Sequence, residues 1–257
     1  MQPELVTLLM PAYNNIKYIY QAIESAIEQT YPHWELLIQI DGADDGTCEL
    51  AMGVALKEPR VKIQVNEKRL GLNLTRVAIQ KRITGAYVAH FDSDDLLERY
   101  AIEETLKVFK ANPELMLVYS DMAHIEPEGG INNYKIISYS ASKDFDPSKL
   151  YNYGWRHFGM YKSKVLQDVY GYNDKLSVVP GCSDGDLFMQ IAEKFPVKRL
   201  PKVLYFYRNH ATNNSKKKPK CQECPANPNC NYIRVWSSSL GVNQQTLLRN
   251  KEEKHAP

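Results

Sequence analysis

Short apolar runs alternate with helix-periodic segments through the first half of this chain, and no other feature restricts the fold as strongly. "LVTLLM" (5–10) is a short, mostly apolar run closed by Pro11 and predicts a buried parallel strand. In the segment that follows, Ile16, Ile19, Tyr20, Ile23 and Ile27 recur at helical spacing, with Asn14 or Asn15 to cap the start and Pro32 to mark the end. "WELLIQI" (34–40) predicts a second strand, 45–59 a helix, "VKIQV" (61–65) a third strand, and 72–85 a helix stopped at Gly85 as a C-terminal cap. "AYVAHF" (86–91) predicts a fourth strand, followed by a helix to about Ala111, and "LMLVYSDM" (115–122) a fifth. Such alternation implies βαβ units on a mostly parallel sheet. Ligands of such sheets bind beyond the carboxyl ends of the strands. That rule gathers four segments on one edge: Tyr13-Asn14, Asp41-Gly42, Leu70-Gly71 and Asp92–Asp95.

The second half is looser. A hairpin is expected around Gly129-Gly130, a strand in "WRHFGMY", a short helix in "KSKVLQDV", a helix over 184–195 and a last strand over 202–210. After Ser215 the composition shifts to Lys, Pro and Cys, which reads as an appended tail. The expected organisation is one domain over 1–215, with halves 1–122 and 123–215, and a tail over 216–257.

With 44% hydrophobic and 24% charged residues, a packed core is expected and global disorder is excluded. A formal net charge of +2 argues against a dedicated nucleic-acid binder. No run of 18 apolar residues predicts a transmembrane helix, and the N-terminus does not read as a signal peptide. The expected setting is the cytoplasm, with peripheral contact at the inner face of the membrane open to the "KKKPK" run, and with the five cysteines reduced. In the tail, Cys221, Cys224 and Cys230 include a C-x₂-C zinc half-site, which needs a fourth ligand from His210 or His255. Free thiols or an oxidation-formed bridge are the alternatives.

The fourth strand ends in three carboxylates, Asp92, Asp94 and Asp95. Extended geometry sends Asp92 and Asp94 to one side, where they repel unless something positive lies near. A Mg²⁺ or Mn²⁺ ion suits, since hard cations take carboxylate oxygens and share their remaining shell with phosphates and water. A calcium loop fails on spacing: counting from Asp92, its glycine and final glutamate positions hold Leu97 and Glu103. An aspartyl-phosphate nucleophile is chemically open but usually follows a first strand. The remaining reading is an acidic helix start.

The flanking residues shift that balance. "VTLLMPAYNNIKYIYQAIESAIEQTYPHWELLIQIDGADDGT", "GLNLTRVAIQKRITGAYVAHFDSDD", "SDGDLFMQI" and "LYFYRNHATNNS" occur in the order seen in the family 2 glycosyltransferases, and over residues 5–215 the chain resembles that family. The resemblance implies an α/β GT-A fold: a Rossmann-like, mostly parallel central sheet flanked by helices, with a smaller mixed acceptor-side region. It also implies an inverting transferase that uses a nucleotide-diphosphate sugar donor, a UDP-sugar by expectation, and Mn²⁺ or Mg²⁺. The hydroxyl acceptor would be a glycan, a lipid-linked glycan or a protein, in glycan or polysaccharide synthesis.

By the same resemblance, Pro11, Ala12 and Tyr13 line the nucleotide pocket and Asp41 receives the uracil imide N–H. The family's acidic residue before that aspartate is Ile40 here. Arg76 matches a basic donor-pocket residue, Asp92 the ribose contact, Ser93 a neighbouring donor contact and Asp94 the metal ligand. Asp95 is expected to cap the next helix. Asp184 matches the general base, although the family often has Glu-Asp where this chain has Ser183-Asp184. Arg208 and His210 fall near the diphosphate, His210 as a metal ligand. Trp155 and His157, with Phe158 beside them, fall on the acceptor side. Two rival readings fit the sequence less well. A sugar-phosphate nucleotidyltransferase needs a Gly-rich basic loop that "MPAYNN" lacks, and a non-catalytic nucleotide-sugar-binding module would be expected to lose Asp184 or the D-x-D.

Overall fold

A computed structural model describes residues 3–130, 132–140, 158–169, 171–172 and 183–213, without the side chains of Ser183 and Asp186. In chain order the elements are β1 (Val6–Ala12), α1 (Ile19–Ile27), β2 (Trp34–Ile40), α2 (Thr47–Ala55), β3 (Val61–Val65), α3 (Leu72–Gln80), β4 (Tyr87–His90), β5 (Leu96–Leu97), α4 (Ala101–Ala111), β6 (Leu117–Ile125), β7 (Ile136–Ser140), β8 (Gly159–Lys162), a 3₁₀ turn (Ser163–Gln167), α5 (Ser183–Lys194) and β9 (Val197–Arg208).

The sheet order is β3-β2-β1-β4-β8-β6-β9-β5, with β7 also on β6. Strands β1, β2, β3 and β4 pair in parallel. The antiparallel β8 then separates β4 from β6, and β6 pairs in parallel with β9. Six strands therefore run one way, and their carboxyl ends share one rim. The parallel half and the smaller mixed half are those of the GT-A fold expected from the sequence.

Every residue of β1 and β2 is buried, because helices cover both faces of the sheet. Val6, Leu8, Met10 and Ala12 face α1, α2 and α4 in the larger core, while Leu9, Leu37, Val88 and Tyr161 face α3 and α5. From α1, Ile19 and Ile23 enter the larger core fully, each contributing about 1.5–3 kcal/mol of burial. Ile16 and Tyr20 remain exposed.

Several expected boundaries move. Pro11 lies inside β1 rather than ending it. Pairing with β4 stops at Leu9, so the edge that Pro11 faces has no ladder to lose. Neither Asn14 nor Asn15 caps α1; its N-cap is Tyr18, and Asn15 instead donates its amide to Ser93 Oγ at 2.7 Å. Helix α3 ends at Gln80, so Gly85 is not its cap. Gly85 lies against β1, where a Cβ would stand 2.7 Å from the Leu5 carbonyl oxygen. Asp95 caps no helix, since β5 follows it and the N-cap of α4 is Tyr100. The hairpin around Gly129-Gly130 is present as β6–β7. Phe158 is core packing, 1% exposed. Trp155, His157, Cys221, Cys224, Cys230 and His255 lie outside the described residues.

Candidate active site

The shared rim gathers the predicted residues from five strand ends. After β1, Tyr13 carries the guanidinium of Arg69 at 3.9 Å from its ring centroid. Pro11 and Ala12 are buried just below. After β2, Asp41 is buried and grips the turn that follows β3. Its Oδ1 accepts from Leu70 N (2.7 Å) and Asn66 Nδ2 (2.8 Å), and its Oδ2 accepts from Gly71 N (2.8 Å). A carboxylate offers about four acceptor sites, so Oδ2 retains capacity for a further donor. Sequence reading missed Arg69, Asn66 and Asn15. The signal for Asn66 was its position directly after β3, level with Asp41 on the same edge.

After β4 the carboxylates diverge. Asp92 pairs with Arg76 Nη2 at 3.1 Å, and Arg76 Nη1 reaches Asp184 Oδ1 at 3.5 Å. Arg76 is buried, its side chain 4% exposed, whereas Asp92 (28%) and Asp184 (21%) open toward solvent. Burial opposes the guanidinium charge, but the carboxylates of Asp184 and Asp92 outweigh it and hold Arg76 cationic. This one cation joins the donor side of the rim to the first turn of α5. The Tyr172 ring lies under Arg76, 5.9 Å away, and its hydroxyl bonds the His90 imidazole. Burial pushes the Tyr172 phenol well up, so it stays protonated.

Helix α5 reaches this position because Gly159 of β8 has no side chain. A Cβ there would stand 2.3 Å from the Phe188 ring, which stacks on His90 at 5.1 Å. Any larger residue would displace the Phe188 ring and disturb its stacking on His90.

Asp94 Oδ2 lies 2.9 Å from His210 Nε2, beyond the end of β9. The His210 ring is fixed by Thr212 Oγ1 on Nδ1 (2.8 Å) and by the Tyr18 ring at 4.6 Å. An octahedral ion with bonds of about 2.1 Å needs neighbouring donors about 3 Å apart, so this oxygen–nitrogen pair fits a hard divalent cation. Among the described residues no group of three His, Cys, Asp or Glu converges. Two protein donors are enough for an ion that takes phosphate and water for the rest of its shell.

Asp95 turns inward and is fully enclosed. It accepts from Tyr205 Oη and Arg208 N, both at 2.7 Å. Burial, then the carboxylates of Asp94 and Asp92, push its carboxyl well above the usual range despite those donors. Arg208, expected at the diphosphate, is also enclosed. Four of its N–H contacts go to protein acceptors: Asp94 O, Pro127 O, Gly129 O and Gln21 Oε1. The structure therefore gathers Tyr13, Asp41, Arg76, Asp92, Ser93, Asp94, Asp184 and His210 at one rim and turns Arg208 away from its opening.

No helix among the described residues is long and apolar enough to cross a membrane. Among curated proteins, the chain is 30% identical over 255 residues to the chondroitin synthase of Escherichia coli, covering 98% of this chain and 34% of that protein. It is 31% identical over 216 residues to the hyaluronan synthase of Pasteurella multocida, covering 83% and 21%. It thus spans about a third or less of the length of these relatives. Among solved structures, Staphylococcus aureus TarS residues 1–349 with UDP-GlcNAc superposes with a TM-score of 0.64 at 16% identity, covering 83% of this chain and 61% of that one. A Pyrobaculum calidifontis mannosyltransferase with GDP-Man and Mn²⁺ gives 0.62 at 18% identity, covering 82% and 59%. The model of the family described as glycosyl transferase family 2 matches residues 7–170, and with the rim and sheet described above it identifies the chain as a member of glycosyl transferase family 2.

Proposed function

We propose that this chain is a metal-dependent, inverting glycosyltransferase unit that moves a sugar from a UDP-sugar to a hydroxyl acceptor in polysaccharide or other glycan synthesis. One observation carries the reading: a cation-competent pair, Asp94–His210, and a separate carboxylate, Asp184, stand on one rim, with Arg76 joining Asp184 to Asp92, two residues before Asp94. The named relatives are polysaccharide synthases, and two structural neighbours hold nucleotide sugars, one of them with Mn²⁺.

In this reading residues 1–122 hold the donor and 123–215 the acceptor, while 216–257 form a tail. Tyr13, with Arg69, covers the base above Pro11 and Ala12. Asp41 Oδ2 takes the imide N–H, which an ionised carboxylate can accept from uracil but not from the unprotonated ring nitrogen of cytosine. Asp92 takes the ribose, with Ser93 beside it, and Arg76 holds Asp92 and Asp184 in register. Asp94 and His210 would hold Mn²⁺ or Mg²⁺, whose Lewis acidity stabilises the departing diphosphate. Asp184 accepts the proton of the attacking hydroxyl as its oxygen bonds the anomeric carbon. The bond from that carbon to the diphosphate oxygen breaks with its electron pair, so a single displacement inverts the centre. The acceptor is a glycan, a lipid-linked glycan or a protein, and the setting is cytoplasmic, with peripheral contact at the membrane's inner face.

A thermal-shift screen of UDP-, GDP- and dTDP-sugars, each with and without Mn²⁺, tests this. The largest shift is expected for a UDP-sugar with Mn²⁺. A GDP-sugar that matches it removes the uridine preference, and no response to any nucleotide sugar removes the function.

A further inference from the structure

We propose that Arg208 is a positioning residue of the cation site and not a contact for the donor. The inference rests on the reading of Asp94 and His210 as the cation's protein ligands, and goes beyond it by naming what holds both in place. Arg208 is 0% exposed. Its Nε donates to the Asp94 carbonyl at 2.9 Å, so the guanidinium fixes the backbone that presents the Asp94 carboxylate. Its Nη1 donates to Pro127 O (3.2 Å) and Gly129 O (2.9 Å), and its Nη2 to Gln21 Oε1 on α1 (3.0 Å). The backbone of the same residue secures the second ligand. Asn213 donates to Arg208 O at 3.0 Å while accepting from His210 N at 2.6 Å. The Tyr18 ring stands beside both partners, 5.1 Å from the Arg208 guanidinium and 4.6 Å from the His210 ring.

The chemistry favours a fixed role. A guanidinium has five N–H donors, and four contacts here go to neutral oxygens. Turning it toward a diphosphate would break four hydrogen bonds of a fully enclosed guanidinium at once, and that loss opposes the movement. The four contacts also join three segments: the loop carrying Asp94, the start of α1, and the turn between β6 and β7 in the acceptor-side half. Arg208 therefore ties the geometry of the cation's ligands to the turn that follows β6, the strand paired with β9. Residues that orient metal ligands from behind typically change metal affinity by about 10–100-fold when replaced.

The test measures Mn²⁺ affinity in the presence of UDP, by the electron paramagnetic resonance of free Mn²⁺, and UDP affinity in EDTA, by calorimetry. Arg208→Lys is expected to weaken Mn²⁺ binding by about 10–100-fold and to leave UDP affinity in EDTA within about two-fold. Gln21→Met removes only the Nη2 acceptor on a half-buried side chain, and is expected to weaken Mn²⁺ binding less, in the same direction. Circular dichroism checks the folding of both variants, and if Arg208→Lys does not fold, Gln21→Met decides alone. Unchanged Mn²⁺ affinity in the folded variants overturns the proposal. Parallel loss of UDP affinity in EDTA also overturns it, by making Arg208 a donor contact. A wild-type protein that binds UDP but no Mn²⁺ fails at the earlier step, the assignment of Asp94 and His210, and the proposal falls with it.

Discussion

Buried carboxylates stand at both ends of the parallel strands, and they meet opposite fates. At the amino end, Glu35 of β2 is 2% exposed and fully answered: Thr7 at 2.7 Å, Thr84 at 2.6 Å and Lys62 at 2.7 Å all donate to it. Burial opposes its charge, but the bonds from Lys62, Thr84 and Thr7 together outweigh burial and hold the carboxyl below its usual range. At the carboxyl end, Asp92, Asp94 and Asp95 crowd within four residues, Asp95 is pushed up, and one buried arginine is shared between Asp92 and Asp184. Glu35 pins three strands and a turn together without bearing on any ligand. The opposite rim instead crowds Asp92, Asp94, Asp95 and Asp184 around Arg76 and His210, the like-charge crowding expected at a functional site.

The contrast can be broken most sharply at Asp184. Asp184→Asn is expected to lower turnover, followed as UDP release, by about 10²–10⁴-fold while UDP binding is retained; unchanged turnover would remove its role as base. Next comes Asp94→Asn. In the wild type, Mn²⁺ with UDP at about 100 times the dissociation constant should add about 2.7 kcal/mol of stability, seen as a rise in Tm. The variant should lose most of that rise, and an equal rise in both proteins would place the ion elsewhere.

At the other end, Glu35→Gln is expected to destabilise by about 1–3 kcal/mol in urea unfolding at neutral pH, with turnover unchanged. A carboxyl held below its unfolded range contributes stability above the unfolded pKa of about 4.3, and that contribution disappears as pH falls through the lower folded value. The difference between wild type and Glu35→Gln should therefore close in acid. A difference that persists there would mean that packing, not charge, is what Glu35 supplies. The smallest effect belongs to Lys62→Met. Its side chain is 52% exposed, so its ion pair with Glu35 should be worth at most about 1 kcal/mol and weaken in salt.

Much of this was legible because it is local. A short, mostly apolar run reads as a buried strand or helix segment, and its length and flanking turns decided for β1, β2 and β4. The placement of Tyr13, Asp41 and Asp92–Asp94 on one rim followed from strand direction alone. Errors arose where one residue type serves two ends. Gly85 read as a helix cap and proved to be a close approach between backbones; Asn14 and Asn15 read as caps and proved to be loop ties; Asp95 read as a cap and proved to be buried behind Tyr205. Composition cannot separate these uses, because each depends on what lies across from the residue.

The sequence by itself determined the strand–helix alternation of β1 to β4, the two-faced parallel sheet and the edge on which the acidic residues would gather, since alternation and turn chemistry act over a few neighbouring residues. Only the tertiary structure decided that antiparallel β8 would enter between β4 and β6, that Arg76 would hold Asp92 and Asp184 at once, and that His210 would meet Asp94 across 116 positions of chain. Those pairings depend on strand order and on how closely α5 can approach a glycine in β8, distances that no local pattern encodes.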